Sequence, residues 1–203
     1  MRGSPTRSPS NVANGADAPD DALRVSLAAR AIRDGRVVAH PTEGVWGLAC
    51  NPFDHNAVMR VLALKGRQWQ KGLIVIGATI ETFAPELAAL DTERVKRIAA
   101  EWPGAVTWLV ANVRFPRWIT GRHPTVAIRV PAHAQAMRLC AAVGGPIVST
   151  SANPAGRSPA RSALAVRRYF GNSIDFVLDG ALGDRKGPSE IRNASMNTSV
   201  RSR

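Results

Sequence analysis

Residues 54–76 read Asp-His-Asn-Ala-Val-Met-Arg-Val-Leu-Ala-Leu-Lys-Gly-Arg-Gln-Trp-Gln-Lys-Gly-Leu-Ile-Val-Ile, and two hydrophobic periods meet within them. Val58, Val61, Leu62 and Leu64 recur at helical spacing behind Asp54, a residue whose carboxylate can cap a helix N-terminus. Gly66 then supplies the left-handed end. Seven residues later, Leu73-Ile74-Val75-Ile76 is an unbroken apolar run, which is how a strand buried on both faces reads. A helix feeding a buried strand through a short loop predicts an α/β chain.

The same alternation extends in both directions. Leu23, Leu27, Ala31 and Ile32 mark a helix opened by Asp20 and Asp21 and closed by Gly35. Strands are predicted at 37–39, 45–50, 106–110, 126–130, 147–148 and 174–178, and helices at 92–102, 132–143 and 162–170. Pro103-Gly104 stops the helix that carries Val95, Ile98 and Trp102. Residues 1–19, rich in Ser, Pro, Asn, Gly and Ala without apolar periodicity, predict a disordered tail. One domain is expected over 20–192, followed by a polar extension over 193–203.

Composition narrows the function classes. A formal charge of +12 favours phosphate-bearing partners, although the arginines are scattered along the chain instead of forming the dense block of a nucleic-acid tail. No apolar run approaches the roughly 18 residues that span a bilayer, so no membrane is expected. Cys50 and Cys140 lie far apart among apolar residues, which predicts buried thiols in a reducing, cytoplasmic setting. His40, His55, His123 and His133 are dispersed too, and no metal-ligand motif can be read from them.

Four short stretches carry chemistry. Lys65, Arg67 and Lys71 bring three cations to a helix end and the loop entering a strand, a place suited to a polyphosphate but also open to plain solvation. Their spacing is not that of a P-loop, where Gly-Lys-Ser/Thr opens a helix. Ser149-Thr150-Ser151-Ala152-Asn153 ends an apolar run just before Pro154. In an extended segment Ser149 and Ser151 share a face and suit a polyoxygenated ligand, although Ser and Asn are also ordinary turn formers. Pro41-Thr42-Glu43-Gly44-Val45-Trp46-Gly47 sets a hydroxyl and a carboxylate in a glycine-bearing turn. Pro188-Ser189-Glu190-Ile191-Arg192 adds a hydroxyl in what reads as a charged loop.

Taken in order with Trp102-Pro103-Gly104, Thr107 and Ala127-Ile128-Arg129-Val130, these pieces resemble the YrdC family, most closely its short bacterial form, from about Leu23 to Arg192. The resemblance implies a single α/β YrdC-like domain: a twisted mixed sheet with flanking helices around a basic concave cavity. It also implies formation of L-threonylcarbamoyladenylate and pyrophosphate from L-threonine, bicarbonate and ATP, with Mg2+, toward the t6A modification of tRNA. The adenylate would pass to a separate TsaD-containing machinery. Lys65 and Arg67 would be catalytic. Arg67, Lys71, Thr107, Ser151, Asn153 and Pro159 would hold ATP, and Thr42, Arg129, Ser149 and Ser189 threonine and bicarbonate. The substrate's own carbamate would be the nucleophile, which accounts for the lack of a visible triad.

Departures from the family pattern bear on the threonine side. Gly44 stands where many members carry a second Thr, Ile76 where longer relatives carry His, Lys71 where they carry Asn, and Ala155 where Ser is common. Two other readings remain at this stage. The +12 charge also suits an RNA-binding or ribosome-maturation factor, although aromatic residues make up only 5% of the chain. Related domains also occur in hydrogenase-maturation proteins, so another amine or carbamoyl phosphate could be the substrate.

Overall fold

In a computed structural model, residues 19–185, 187–196 and 198–201 are described. The expected tail over 1–19 therefore lies, apart from Pro19, outside the described residues. Among the described residues, helices α1 (Pro19–Arg33), α2 (His55–Lys65), α3 (Ala84–Leu87), α4 (Thr92–Ala100), α5 (Arg117–Thr120), α6 (Ala134–Val143) and α7 (Ala163–Phe170) are interspersed with ten strands. Strands β1 (Val38–Pro41), β2 (Trp46–Ala49), β7 (Thr150–Ser151) and β8 (Phe176–Val177) make one mixed sheet in the order β7-β2-β1-β8. Strands β3 (Ile74–Ile76), β4 (Val106–Ala111), β5 (Thr125–Arg129), β6 (Ile147–Val148), β9 (Glu190–Asn193) and β10 (Thr198–Arg201) make the other, ordered β10-β9-β4-β5-β3-β6. The mixed α/β class read from the sequence is the one the chain forms, with its strands shared between two sheets.

The stretch that announced the fold behaves as its residues dictate. The Asp54 carboxylate accepts from the Ala57 amide at 3.0 Å, and Gly66 turns left-handed at φ 57°. Gly66 N–H and Arg67 N–H then close the helix on Ala63 O and Leu62 O. Val75 joins one apolar cluster and its neighbour Ile76 another, as do Ala39 and Val38 of β1. Both strands are thus covered on both faces, which is why their sequences lack polar alternation. The smaller cluster packs α1 and α6, through Val25, Ile32, Leu139 and Cys140, against Val38, Ile147 and Leu178. The larger gathers Trp46, Leu48, Phe83, Trp108, Val126 and Ile128.

Two features differ from the sequence reading. The Ser149 region does not continue one strand: β6 pairs with β3, whereas β7 pairs with β2, so the chain changes sheets at Ser149. The stretch expected as a charged loop is in part a strand, for β9 lies parallel to β4 with Ile191 opposite Thr107. Its charge is neutralised in place. Arg192 pairs with Glu190 at 2.8 Å and Glu101 at 2.5 Å, and its guanidinium lies 5.9 Å from the centre of the Trp108 ring.

Asp54→Ala removes the cap of α2 and is expected to lower stability by about 0.5–2 kcal/mol in denaturant titration. The secondary-structure signal at low denaturant should not change.

Candidate active site

Where the chain changes sheets, the ends of both sheets enclose a cavity of about 310 Å³. The turn between β1 and β2 contributes Thr42 and Glu43, the loop before β3 Arg67 and Lys71, β5 Arg129, and the sheet crossing Ser149, Thr150 and Ser151. Ser189 closes one side with Arg185, and Leu109, Ala127 and Ile191 give an apolar floor. Seven sequence-predicted residues thus share one cavity wall: Thr42, Arg67, Lys71, Arg129, Ser149, Ser151 and Ser189.

Lys65, Thr107, Asn153 and Pro159 do not line it. Thr107 is buried behind Ser189, their hydroxyl oxygens 2.8 Å apart. Lys65 is 5% exposed and gives its ammonium to the backbone oxygens of Ser151 and Asn153, the latter at 3.0 Å. The Ala155 amide in turn donates to Lys65 O at 2.7 Å, and Ser151 Oγ donates to Asn153 Oδ1 at 2.7 Å. The end of α2 and the Ser-Ala-Asn turn are therefore one hydrogen-bonded knot. Burial, helped by the nearby Arg67 charge, brings the Lys65 ammonium down to about 8. Pro159 is half-buried outside the cavity lining.

Arg129 is held on both sides. Its Nε donates to Gly104 O at 2.7 Å, and its terminal nitrogen pairs with Glu43. Glu43 Oε1 also accepts from the Ala132 amide at 2.7 Å. Burial works against the Glu43 charge, but the Arg129 guanidinium together with backbone amides, that of Ala132 among them, outweighs it and keeps the carboxyl below the usual carboxylate range. Arg67 donates to Gly72 O at 2.9 Å. Gly72, at φ 66°, lies where a Cβ would come 3.0 Å from Thr120 O, so a bare backbone lets the basic loop lie against α5.

Glu43, His40 and Arg185 stand in or beside the sequence motifs, but the sequence assigns them no site role. Glu43 was visible as a turn carboxylate, but its partner is 86 residues away and no local signal joins them. His40 is wholly buried at the back of the wall. Burial, reinforced by the neighbouring His133, lowers its pKa from 6.5 to about 4. At Gly44 a Cβ would sit 2.3 Å from Gly187 O and 3.2 Å from Arg185 O. The amides of Gly183 and Arg185 donate to Thr42 O and Glu43 O, both at 3.1 Å, and fix that segment against the turn.

Among the described residues, no group of three or more His, Cys, Asp or Glu could hold a metal ion. Glu43 is the acid in the cavity lining and is already engaged by Arg129 and Ala132. These residues do not build a resident metal site. No helix among the described residues is long and apolar enough to cross a membrane. Cys50 and Cys140 are free and buried, and burial raises both thiols, Cys140 to about 12.

The fold and site define a class: mixed α/β domains with a cavity at the meeting of two sheets. Escherichia coli YciO superposes with a TM-score of 0.77 at 23% identity, over 92% of this chain and 91% of its own. Pyrococcus abyssi Sua5 in complex with L-threonine does so with a TM-score of 0.81 at 34% identity. That match covers 88% of this chain and 53% of Sua5, so the chain spans about half the length of that relative. Residues 30–202 match the Sua5/YciO/YrdC family, described as telomere recombination, and the chain belongs to this family. The threonylcarbamoyl-AMP synthase of Cellvibrio japonicus is 51% identical over 179 residues, covering 88% of this chain and 95% of that protein. That of Halorhodospira halophila is 50% identical over 180 residues, with 88% and 94% covered.

Two outcomes follow from this geometry. His40 binds protons less readily when folded than when unfolded, so the unfolded state is favoured as pH falls from about 6.5 toward 4. The thermal midpoint should fall through that window, by the equivalent of roughly 3 kcal/mol from this group, and His40→Asn should reduce the fall. Gly44→Thr should displace the segment packed on it and raise limited proteolysis within residues 183–189, with the melting temperature lowered by a few degrees.

Proposed function

We propose that this chain is an L-threonylcarbamoyladenylate synthase, a nucleotidyltransferase that uses L-threonine, bicarbonate and ATP and releases pyrophosphate. One observation carries the reading: two phosphate-seeking cations, a carboxylate-seeking arginine and the hydroxyls of Thr42, Ser149, Ser151 and Ser189 converge on one cavity, in a chain about half identical to synthases of that name. Bicarbonate, taking up a proton, loses water to give carbon dioxide; threonine's amine adds to it and releases a proton to form a carbamate, and a carbamate oxygen attacks the α-phosphorus of ATP. The P–O bond to the departing pyrophosphate breaks as the new one forms.

The chain's part is positioning and charge. Arg67 and Lys71 hold the triphosphate and offset the charge that builds on pyrophosphate. Arg129, oriented by Glu43 and Gly104 O, receives the carboxylate of threonine or its carbamate. Ser149, Thr42 and Ser189 face the amino acid, and Ser151 the nucleotide. Lys65 and Asn153 act through the knot that sets Ser151, with Lys65 adding positive charge behind it. Thr107 supports Ser189, and Pro159 ends the turn beyond Asn153 on the nucleotide side. Mg2+ enters as part of the ATP substrate, carried by the phosphates and waters. The adenylate then passes, in the cytoplasm, to a TsaD-containing machinery that modifies tRNA to t6A. The +12 charge favours approach of that RNA.

Pyrophosphate release by the purified chain is expected to require threonine and bicarbonate together. Release from ATP that ignores threonine would refute the reading. Arg67→Ala should lower turnover at least tenfold, about 1.4 kcal/mol of transition-state stabilisation, with an unchanged melting profile.

A further inference from the structure

Behind the cavity wall lies a group to which the reaction above gives no part. His40 is fully buried on β1, opposite Gly47 of β2 in the strand register. Its Nε2 lies 3.4 Å from Ser149 Oγ, and its Nδ1 3.0 Å from Pro41 O. Gly47 makes the approach possible. A Cβ there would come 3.1 Å from His40 Nε2 and 3.2 Å from Ser149 Oγ. Ser149 itself is fixed by its own amide, which donates to Ile74 O at 2.9 Å, and its side chain lines the cavity.

We propose that His40 is a positioning residue that fixes the direction of the Ser149 hydroxyl, making Ser149 a hydrogen-bond acceptor toward the amino-acid substrate. The proton assignment follows from the partners. Pro41 O is a carbonyl and can only accept, so Nδ1 carries the hydrogen. The buried imidazole is neutral, with its pKa at about 4, and holds a single N–H. Nε2 is then bare and takes the Ser149 proton. The lone pairs of Ser149 Oγ are left to face the cavity, where they meet an N–H or O–H donor of the amino acid and disfavour a ligand oxygen that can only accept. His40 thus acts on amino-acid recognition and leaves the triphosphate side alone.

This inference rests on the synthase reading, and the experiment separates the two. Wild-type chain that shows no threonine-dependent pyrophosphate release refutes that reading, whatever His40 does. In an active wild type, His40→Phe removes the acceptor, and His40→Asn does so while keeping a donor near Pro41 O. Each should raise the KM for threonine about three- to tenfold, the range given by one lost hydrogen bond, with the KM for ATP unchanged. In a Ser149→Ala background, His40→Asn should add less than about twofold, because its partner is gone. A threonine KM unmoved in the single variants, or raised by the same factor with Ser149 absent, overturns the proposal. Independent of any variant, nitrogen-proton NMR of histidine-labelled wild-type protein at neutral pH should show His40 as the Nδ1–H tautomer. The Nε2–H tautomer overturns it as well.

Discussion

Between Val148 and Thr150 the backbone leaves one sheet for the other, and its buried amides must find partners on both sides of that step. Val148 N–H reaches Cys50 O beyond the end of β2, Ser149 N–H reaches Ile74 O at the start of β3, and Ala152 N–H reaches Trp46 O. β2, at both of its ends, and β3 of the other sheet are thereby tied to one short stretch. The cavity lies beside this crossing, and Ser149 and Ser151, on either side of Thr150, both line it. Arg67 and Lys71 arrive beside them through α2, whose C-terminal Lys65 is bonded to the same turn.

This arrangement divides the charged groups into those that face the cavity and those that hold its walls. Lys65 and Arg67 are two residues apart, yet one ammonium satisfies backbone oxygens while the other cation stays within reach of the cavity. Glu43 and Arg129 divide the work in a similar way, the carboxylate fixing the guanidinium plane from the side while Gly104 O holds Nε. A buried cation left without such acceptors would carry the full desolvation penalty. The density of backbone carbonyls around the site is what lets so many positive groups converge there.

Local chemistry made much of this legible in the sequence. The cap at Asp54, the left-handed Gly66 and the unpolar run of β3 are all written within a few residues of where they act. The buried strands showed themselves because both of their faces are covered. What stayed hidden was long-range pairing: Glu43 with Arg129, Thr107 with Ser189, and His40 with Ser149 are each separated by more than eighty residues. The sheet change at Ser149 was hidden for a related reason, since two residues of strand on either side carry no period that could tell one sheet from two. In the sequence β9 reads as a loop because Glu190 and Arg192 look solvent-bound until Glu101 and Trp108 are placed next to them.

Gly44 has a bearing on how such a site can change over generations. Its bare Cα and the carbonyl of Gly187 occupy what would otherwise be the room for a side chain, so the two positions are a single inherited unit. A hydroxyl gained at 44 costs least in a lineage whose Gly187 carbonyl already stands further away. In the reverse order the segment must yield first, through a less stable intermediate. The sequence of substitutions, and not merely their identity, is therefore constrained by a distance of 2.3 Å.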